Sequence, residues 1–437
     1  MADSNKVLII TYYWPPSGGS GVQRWLKFVK YLPQLGWQPY VFTPENPSFD
    51  IKDSSLLKHV PEEAEIIHFP IWEPYDAFLK ISKVFGGASS NKPTAVVASQ
   101  KKSLFQRITT WVRGNFFIPD PRRFWVKPSV GFLEDFLDAN RITKIITTGP
   151  PHSMHLIGLK LKERNPKLMW IADFRDPWSE WGFLDSLSLS TFARNQHRKL
   201  EEKVLRTADR VVTITPFYVR HFARLGNRKV DLLTNGFDDD DFANLVYVKS
   251  SHFVIRHVGI INEKCDPRPF MHALAEWCDE NPVAAEYLIL EFIGEVHPEF
   301  QLFVRSSKMA ARVKFPGSMP HAELMKLYGS SSLLLMVLTG YKDAEGYMPG
   351  KLFEYIATGL PILGIGPENG DAAALLNESG AGVMIDGSNR QRIKSLLAEQ
   401  FAAWSNSTVP VVKKSQAAAY SRKAITQQLI NVLQVRP

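Results

Sequence analysis

The chain has very little cysteine and no long apolar run. Its two cysteines, Cys265 and Cys278, are too few for a disulfide framework and fit a reducing cytosol. No apolar stretch reaches the ~18–20 residues that a membrane-spanning helix needs. The apolar run at residues 7–13 is also too short for the hydrophobic region of a signal peptide. We therefore expect a cytoplasmic protein that does not cross a membrane.

Metal-ligand spacing is missing as well. The histidines are scattered and show no H-x-x-x-H pattern. The four acids at 238–241 follow the turn signal Asn235-Gly236, so a solvated loop or a helix N-cap explains them better than a metal site does. We expect neither a metal nor a bound cofactor.

The charge balance limits the kind of partner. A net charge of +8 and a pI near 9.2 favour an anionic partner, which is a nucleotide, a phospholipid surface or a nucleic acid. No recognised nucleic-acid module is visible and the aromatics are clustered, so we expect no nucleic acid.

Apolar runs alternate with helical patterns in two successive sets. In the first, the strand at 6–13, the Gly-rich break at 15–21, the helix at 22–35 and the strand at 38–43 form a βαβ unit. Further strands are predicted at 144–148, 168–173 and 211–214. In the second set they are predicted at 253–258, 288–293, 310–316, 333–338 and 361–365. The 437 residues suffice for two α/β domains, which we place at 1–245 and 246–414, with a C-terminal helix at 415–437 that packs back on the first domain.

One segment of the first domain does not fit the alternation. An insertion near 85–127 ends in a stretch, Lys101 to Lys127, that mixes seven bases with Trp and Phe and has one acid, Asp120. Cationic residues beside aromatic ones suit docking on an anionic membrane surface. The alternative is a surface helix pair whose aromatics belong to the core.

The most informative stretch is 340–364. A polar turn there leads through Pro349-Gly350 into a short apolar helix, which ends at a glycine and is followed by a strand. A helix N-terminus that follows a glycine-rich loop offers free N–H groups and the positive end of the helix dipole to a phosphate. Glu354, one turn into that helix, is placed to accept hydrogen bonds from a ribose. The pattern predicts a nucleotide-diphosphate site.

Five motifs together resemble the GT-B-fold glycosyltransferases of the family 4 type, which build bacterial surface polysaccharides. These motifs are Tyr12-Tyr13-Trp14-Pro15-Pro16 with Gly18-Gly19, Pro150-Pro151-His152-Ser153, Ala172-Asp173-Phe174-Arg175-Asp176-Pro177-Trp178, Thr234-Asn235-Gly236-Phe237-Asp238, and the 340–364 stretch. The resemblance covers nearly the whole chain. It implies two Rossmann-like doubly wound domains facing a cleft, transfer with retention, and no bound metal.

The resemblance also implies a donor site for a UDP- or GDP-sugar. The residues assigned to it are Gly18, Gly19, Lys264, Gly346, Met348, Gly350, Lys351, Leu352 and Glu354. The chain departs from the family pattern of two glutamates with seven residues between them, because Gly346 takes the first position and Glu345 lies one residue off. Only Lys264 clearly replaces the usual basic pair that grips the diphosphate, and Lys351 is the expected second cation.

Catalytic and acceptor residues are expected at two strand ends of the first domain. Asp173 is expected to orient or deprotonate the acceptor hydroxyl, with Arg175 and Asp176 beside it, and the alternative is a structural Asp-Arg pair. Arg175 and His152 are also assigned to the acceptor, although a histidine in the place of His152 more often caps the next helix. The G-x-G pattern at 19–21 has Arg24 in place of its last glycine, so NAD is not inferred.

The expected protein is thus a peripheral-membrane glycosyltransferase at the inner face of the cell membrane. It would move a hexose-type sugar to a lipid-linked or saccharide acceptor. Two alternatives stay open, a nucleotide-sugar epimerase on the same fold and a non-catalytic membrane-associated scaffold.

Overall fold

The protein is described from a computed structural model, which covers residues 5–49, 51–73, 104–180, 184, 186–338, 340, 344–406 and 414–435. The predicted insertion therefore lies outside the described residues up to residue 103. The chain forms two compact units. The first comprises residues 1–234 and 425–437, and the second comprises residues 235–424.

The first unit is built on a seven-stranded parallel sheet in the order β3-β2-β1-β4-β5-β6-β7. Its strands are β1 (Lys6–Ile10), β2 (Gln38–Pro44), β3 (Glu65–Phe69), β4 (Lys144–Gly149), β5 (Met169–Phe174), β6 (Arg210–Thr213) and β7 (Asp231–Leu232). Its helices are α1 (Ser20–Tyr31), α2 (Leu104–Phe116), α3 (Arg123–Ala139), α4 (Ser153–Arg164), α5 (Thr191–Thr207) and α6 (Pro216–Gly226).

The second unit holds a six-stranded parallel sheet in the order β10-β9-β8-β11-β12-β13. Its strands are β8 (Phe253–Val258), β9 (Leu288–Ile293), β10 (Val313–Gly317), β11 (Leu333–Val337), β12 (Ile362–Ile365) and β13 (Gly382–Ile385). Its helices are α7 (Asp239–Phe242), α8 (Arg268–Glu280), α9 (Pro282–Tyr287), α10 (Pro298–Arg305), α11 (His321–Tyr328), α12 (Gly350–Thr358), α13 (Asp371–Ser379), α14 (Arg390–Ser405) and α15 (Lys414–Ala417). The last helix, α16 (Arg422–Gln434), carries the chain back into the first unit.

Each sheet buries apolar residues on both faces, as parallel sheets do. In the first unit, Leu8 and Ile10 of β1 belong to one cluster, while Val7 and Ile9 belong to the opposite one. The second cluster includes Leu429 of α16, so the C-terminal helix closes one face of this sheet. The fold class expected from the sequence, two Rossmann-like α/β domains, is confirmed.

The four acids at 238–241 form a helix start. The Asp238 side chain accepts a hydrogen bond from the Asp240 N–H and is the N-cap of α7. None of the described helices is long and apolar enough to cross a membrane.

Candidate functional site

The predicted donor helix is α12, which begins at the carboxyl end of the second sheet. Pro349 precedes it in extended conformation, no side chain caps its N-terminus, and its first turn contains no acid. A Cβ built on Gly350 meets nothing within 4 Å, so there is open space at the helix start. An uncapped helix N-terminus that faces open space suits an anionic group.

Glu354 lies one turn into α12 with 23% of its side chain exposed. Both of its protein partners contact the same oxygen. Lys351 Nζ lies 2.9 Å from Oε2, and the Tyr328 hydroxyl donates to Oε2 at 3.4 Å. Within the described part of the chain, nothing donates to Oε1. The carboxylate is therefore held on one side and presents its other oxygen as an acceptor.

The remaining predicted donor residues differ in what they can offer. Lys264 is exposed in the loop after β8, and Gly350 and Lys351 lie at the helix start. Gly346 and Met348 are buried, and the Leu352 side chain lies fully in the core, so any part that Leu352 plays is through its backbone.

Close backbone packing shapes the loops around α12. A Cβ on Gly340, whose φ is +75°, would lie 2.5 Å from the Lys264 carbonyl oxygen. Glu345 is exposed, and a Cβ built on Gly370 would lie 2.9 Å from the Glu345 carbonyl oxygen. The glycines at 340 and 370 thus allow the loops that carry Lys264 and Glu345 to approach the strand ends.

Two tyrosines that sequence reasoning missed support α12. The Tyr355 hydroxyl accepts the Val258 N–H at 2.7 Å and donates to the Leu335 carbonyl at 3.4 Å, which ties the helix to β8 and β11. Tyr328 packs edge-on against Tyr355, with ring centroids 5.9 Å apart. Their helical spacing resembles that of core residues, so the sequence carried no signal for either hydroxyl.

Asp173, the predicted catalytic acid, is fully buried at the end of β5. Its carboxylate accepts hydrogen bonds from Arg24, at 3.0 and 3.3 Å, from Trp25 Nε1 at 2.8 Å and from Thr148 Oγ1 at 2.9 Å. Burial, the largest influence, raises its pKa, but the charges of Arg24 and Arg175 and the hydrogen bonds from Arg24 and Trp25 bring the pKa below its usual value. This geometry favours the structural Asp-Arg pair, with Arg24 rather than Arg175 as the partner.

Arg175 holds the loops of the first unit together. Its Nε donates to the Gly149 carbonyl at 3.1 Å, its Nη1 to the Gly21 carbonyl at 2.8 Å, and its Nη2 to the Pro150 carbonyl. Burial lowers the pKa of the Arg175 guanidinium, against the opposing charges of Asp176 and Asp173. With all three nitrogens bonded to the backbone, Arg175 is better placed to fix these loops than to bind an acceptor phosphate.

Asp176 has a different environment from Asp173. It is partly exposed, and its side chain makes no hydrogen bond within the described residues. Burial raises its pKa, with Arg175 opposing and Asp173 adding to the rise. A carboxylate with available oxygens can hold an acceptor hydroxyl, which a fully bonded carboxylate cannot.

His152 lies beside the same loop, at the N-terminus of α4. Its ring stacks on Trp178 with centroids 5.0 Å apart and planes within 4°. Burial lowers the pKa of His152 well below the usual value, which favours the neutral imidazole. A network missed by sequence reasoning holds the Trp178 loop, because the buried Glu201 carboxylate accepts the Trp178 and Ser179 N–H groups at 3.0 Å.

The Gly-rich turn leads into α1. Gly18 donates its N–H to the Ile51 carbonyl, and Gly19 is the N-cap of α1 with a φ of 85°. No side chain caps this helix and its first turn contains no acid. A Cβ on Gly19 would meet nothing within 4 Å, whereas one on Gly21 would lie 3.1 Å from the Tyr13 ring, so the α1 N-terminus has open space only on its Gly19 side.

An aromatic and basic surface lies on α2, α3 and the segment that follows β3. We call it the aromatic surface; its exposed apolar members are Trp72, Ile108, Trp111, Phe116 and Phe124. Trp72 packs edge-on against Phe124 at 5.2 Å, and Trp111 packs against Phe116 at 5.8 Å. Exposed Arg123 and Lys127 lie on the adjoining turn of α3. Trp125, by contrast, is buried and stacks on Phe42, so the predicted segment supplies both core and surface.

Comparison with known proteins identifies the fold. No protein-family model matches the chain, and no curated protein matches its sequence. The structure of a glycosyltransferase from Rickettsia africae is similar to this one. The alignment covers 98% of this chain and 98% of the other, with a TM-score of 0.62 and 12% sequence identity. HepE from Anabaena, solved in complex with UDP-glucose, aligns over 98% of this chain and 99% of its own length, with a TM-score of 0.59 and 13% sequence identity. WaaG, a glycosyltransferase involved in lipopolysaccharide biosynthesis, matches with the same coverage (TM-score 0.55, 13% identity). The expected GT-B architecture is confirmed.

Proposed function

We propose that this protein is a glycosyltransferase that moves a hexose-type sugar from a UDP- or GDP-sugar to a lipid-linked or saccharide acceptor. The observation that carries the proposal is the Glu354 carboxylate on α12, with Oε1 presented next to an uncapped helix N-terminus. In this proposal Oε1 accepts ribose hydroxyls and the helix N-terminus binds the diphosphate. The HepE structure, which holds UDP-glucose on the same fold, supports such a donor.

The chemistry asked of the donor unit is electrostatic. Breaking the sugar–phosphate bond leaves negative charge on the diphosphate, and the α12 dipole and the Lys264 ammonium stabilise that charge. No metal is required in this scheme. The diphosphate oxygen itself takes the acceptor proton, and the anomeric configuration is retained, as the family resemblance implies.

The acceptor is assigned to the carboxyl end of the first sheet, beside Asp176 and His152. Asp176 orients the acceptor hydroxyl through its available carboxylate, and neutral His152 lines the same loop. Asp173 and Arg175 act as positioning residues, because their polar atoms are bonded to Arg24, Trp25, Thr148 and the loop carbonyls.

A binding experiment tests the donor site. We expect UDP or GDP, but not ADP or NAD, to raise the melting temperature of the wild type, and Glu354→Ala to weaken that nucleotide about 10- to 100-fold, as loss of charge-assisted hydrogen bonds would. Glu276→Ala is the matched control, because Glu276 pairs with Arg390 in the same unit outside the candidate site. Equal affinity in Glu354→Ala and the control would refute the assignment.

We also propose that the aromatic surface docks the protein on the inner, anionic face of the cell membrane. Exposed Trp and Phe insert at the headgroup level while Arg123 and Lys127 meet the lipid phosphates. The charge of the surface supports a lipid partner, and lipopolysaccharide biosynthesis, the role of the structurally similar WaaG, supports a lipid-linked acceptor.

Vesicle sedimentation tests the docking. Vesicles containing phosphatidylglycerol should bind the wild type, and neutral phosphatidylcholine vesicles should bind it far less. Arg123→Gln with Lys127→Gln should lower binding on the order of 10-fold or more at low salt, since each base contributes about 1 kcal/mol. Trp111→Ser should also lower it, whereas Leu302→Ser, which alters an exposed apolar residue of the second unit, should not. Equal binding by all variants would contradict the proposal.

A further inference from the structure

We propose that Tyr328 is a positioning residue for nucleotide recognition, because its hydroxyl fixes Glu354 so that Oε1 faces the ribose. This inference rests on the proposed function and adds to it a residue outside the predicted site. Tyr328 is the last residue of α11, 26 positions before Glu354, and none of the sequence motifs includes it.

The phenol has one direction in which to donate. Tyr328 is fully buried, and in the described structure its hydroxyl has a single partner, Glu354 Oε2 at 3.4 Å. Burial and the adjacent Glu354 charge raise the pKa of Tyr328 well above its usual value, so the hydroxyl keeps its proton and donates it. The hydrogen bond therefore has a fixed sense, from phenol to carboxylate.

The position of the phenol is itself rigid. Its ring packs edge-on against Tyr355, whose hydroxyl is bonded to the backbone of both β8 and β11. Lys351, the other partner of Glu354, lies closer, at 2.9 Å, but it is about one-third exposed and belongs to the same helix, so it does not link the carboxylate to another element. Tyr328 is therefore the partner that ties the Glu354 carboxylate to the sheet.

The consequence is specific to the ribose hydroxyls. With Oε2 occupied by two donors, Oε1 is the oxygen that accepts from the ligand. Without the phenol, the carboxylate rotates about its terminal torsion and meets the ribose less well. A nucleotide that lacks the ribose hydroxyls gains nothing from Glu354, so its affinity should not depend on Tyr328.

The test compares two ligands by isothermal titration calorimetry on the full chain. The probes are UDP and 2′,3′-dideoxy-UDP, or the guanine pair if GDP is the nucleotide that stabilises the wild type. Tyr328→Phe should weaken the ribonucleotide about 3- to 10-fold, less than Glu354→Ala does because the carboxylate itself remains, and should leave the dideoxy nucleotide unchanged. In a Glu354→Ala background, Tyr328→Phe should have no further effect. Tyr420→Phe, which removes a similar phenol–carboxylate bond to Glu378, is the matched control.

Each result has one meaning. If the wild type binds both nucleotides equally, the proposed ribose contact of Glu354 is wrong. If the wild type discriminates but Tyr328→Phe weakens both nucleotides alike, or neither, the positioning role is overturned while the donor site stands. A melting curve for Tyr328→Phe confirms that the variant is folded at the temperature of the titration.

Discussion

The buried pair of Arg24 and Asp173 gives the strongest prediction about the first unit. Asp173→Asn should destabilise the protein far more than a surface change would. The Asp173 side chain is fully buried and that of Arg24 is 2% exposed, with Nη2 and Oδ1 3.0 Å apart. Removing the charge leaves the guanidinium in the interior without its counterion, and it places an amide among donors arranged for a carboxylate.

The size of the effect follows from burial. Breaking a buried ion pair by removing one partner costs about 3–5 kcal/mol. Domains of ordinary stability have about 5–15 kcal/mol in total, so the change should remove a large part of the stability of the first unit. Arg24→Met should cost more still, because Arg24 also donates to the Leu233 and Thr234 carbonyls, which would lose their donors.

The same pair predicts a pH dependence of stability. The pKa of Asp173 is lowered in the folded protein, so the unfolded chain binds the proton more readily. The stabilisation is thus fully present above the unfolded pKa of about 3.9, and it is lost as the pH falls through the lower folded pKa. The wild type should lose this contribution in that acidic range, and Asp173→Asn should not.

Urea unfolding followed by tryptophan fluorescence measures both effects. The control is Glu202→Gln, which removes an exposed pair with Arg198 on α5 and should change the free energy of unfolding by no more than about 0.5 kcal/mol. A loss under about 1 kcal/mol for Asp173→Asn would show that the carboxylate is not buried and fully bonded, and it would restore Asp173 as the candidate base.

Four further substitutions test helix packing, loop support and chemistry separately. Gly131→Ala should raise stability by about 0.5–1 kcal/mol, because a Cβ there meets nothing and alanine favours helix; Gly158→Ala should lower it by about 1–3 kcal/mol, because its Cβ would lie 2.4 Å from Trp170 Nε1. Thermal melts decide both, and equal effects would contradict the packing of α4. Glu201→Gln should cost about 1–3 kcal/mol in the same assay by turning an acceptor of three donors into an amide, and an unchanged melt would count against that network. Asp176→Asn should preserve the melt and reduce sugar transfer about 100-fold, because the acceptor hydroxyl loses the carboxylate that orients it, and full activity would remove Asp176 from the site.

Much of the sheet structure was predictable from sequence because central parallel strands are continuous apolar runs. The predicted strands at 253–258 and 288–293 coincide with β8 and β9, and 144–148 falls one residue short of β4. The strands without a prediction, β3, β7 and β13, are all at sheet edges. Edge strands are covered less completely than central ones, and β3 and β13 accordingly include partly exposed residues. β7 has only two residues. None of the three therefore has the continuous apolar run that predicts a central strand.

From sequence, a residue of the candidate site can be placed only where the local pattern of its own loop or helix fixes its position. Glu354 could be placed because Pro349, Gly350 and the apolar run fix the start of α12 in the local sequence. Its support by Tyr328 joins two helices, and no local pattern encodes that contact. The same limit applies to Arg24, whose partner is 149 residues away.

That limit also explains how Asp173 and Asp176 came to be treated alike. They are three residues apart at one strand end, and sequence gives both the position at which α/β sheets bind ligands. The difference lies in their neighbours. Asp173 lies at the end of β5 and packs against α1, where Arg24 and Trp25 donate hydrogen bonds to its carboxylate. Asp176 lies in the loop that follows, and no described residue donates a hydrogen bond to it. The charge environment then lowers the pKa of one acid and burial raises that of the other, so the fold assigns stability to Asp173 and leaves Asp176 the better candidate for chemistry.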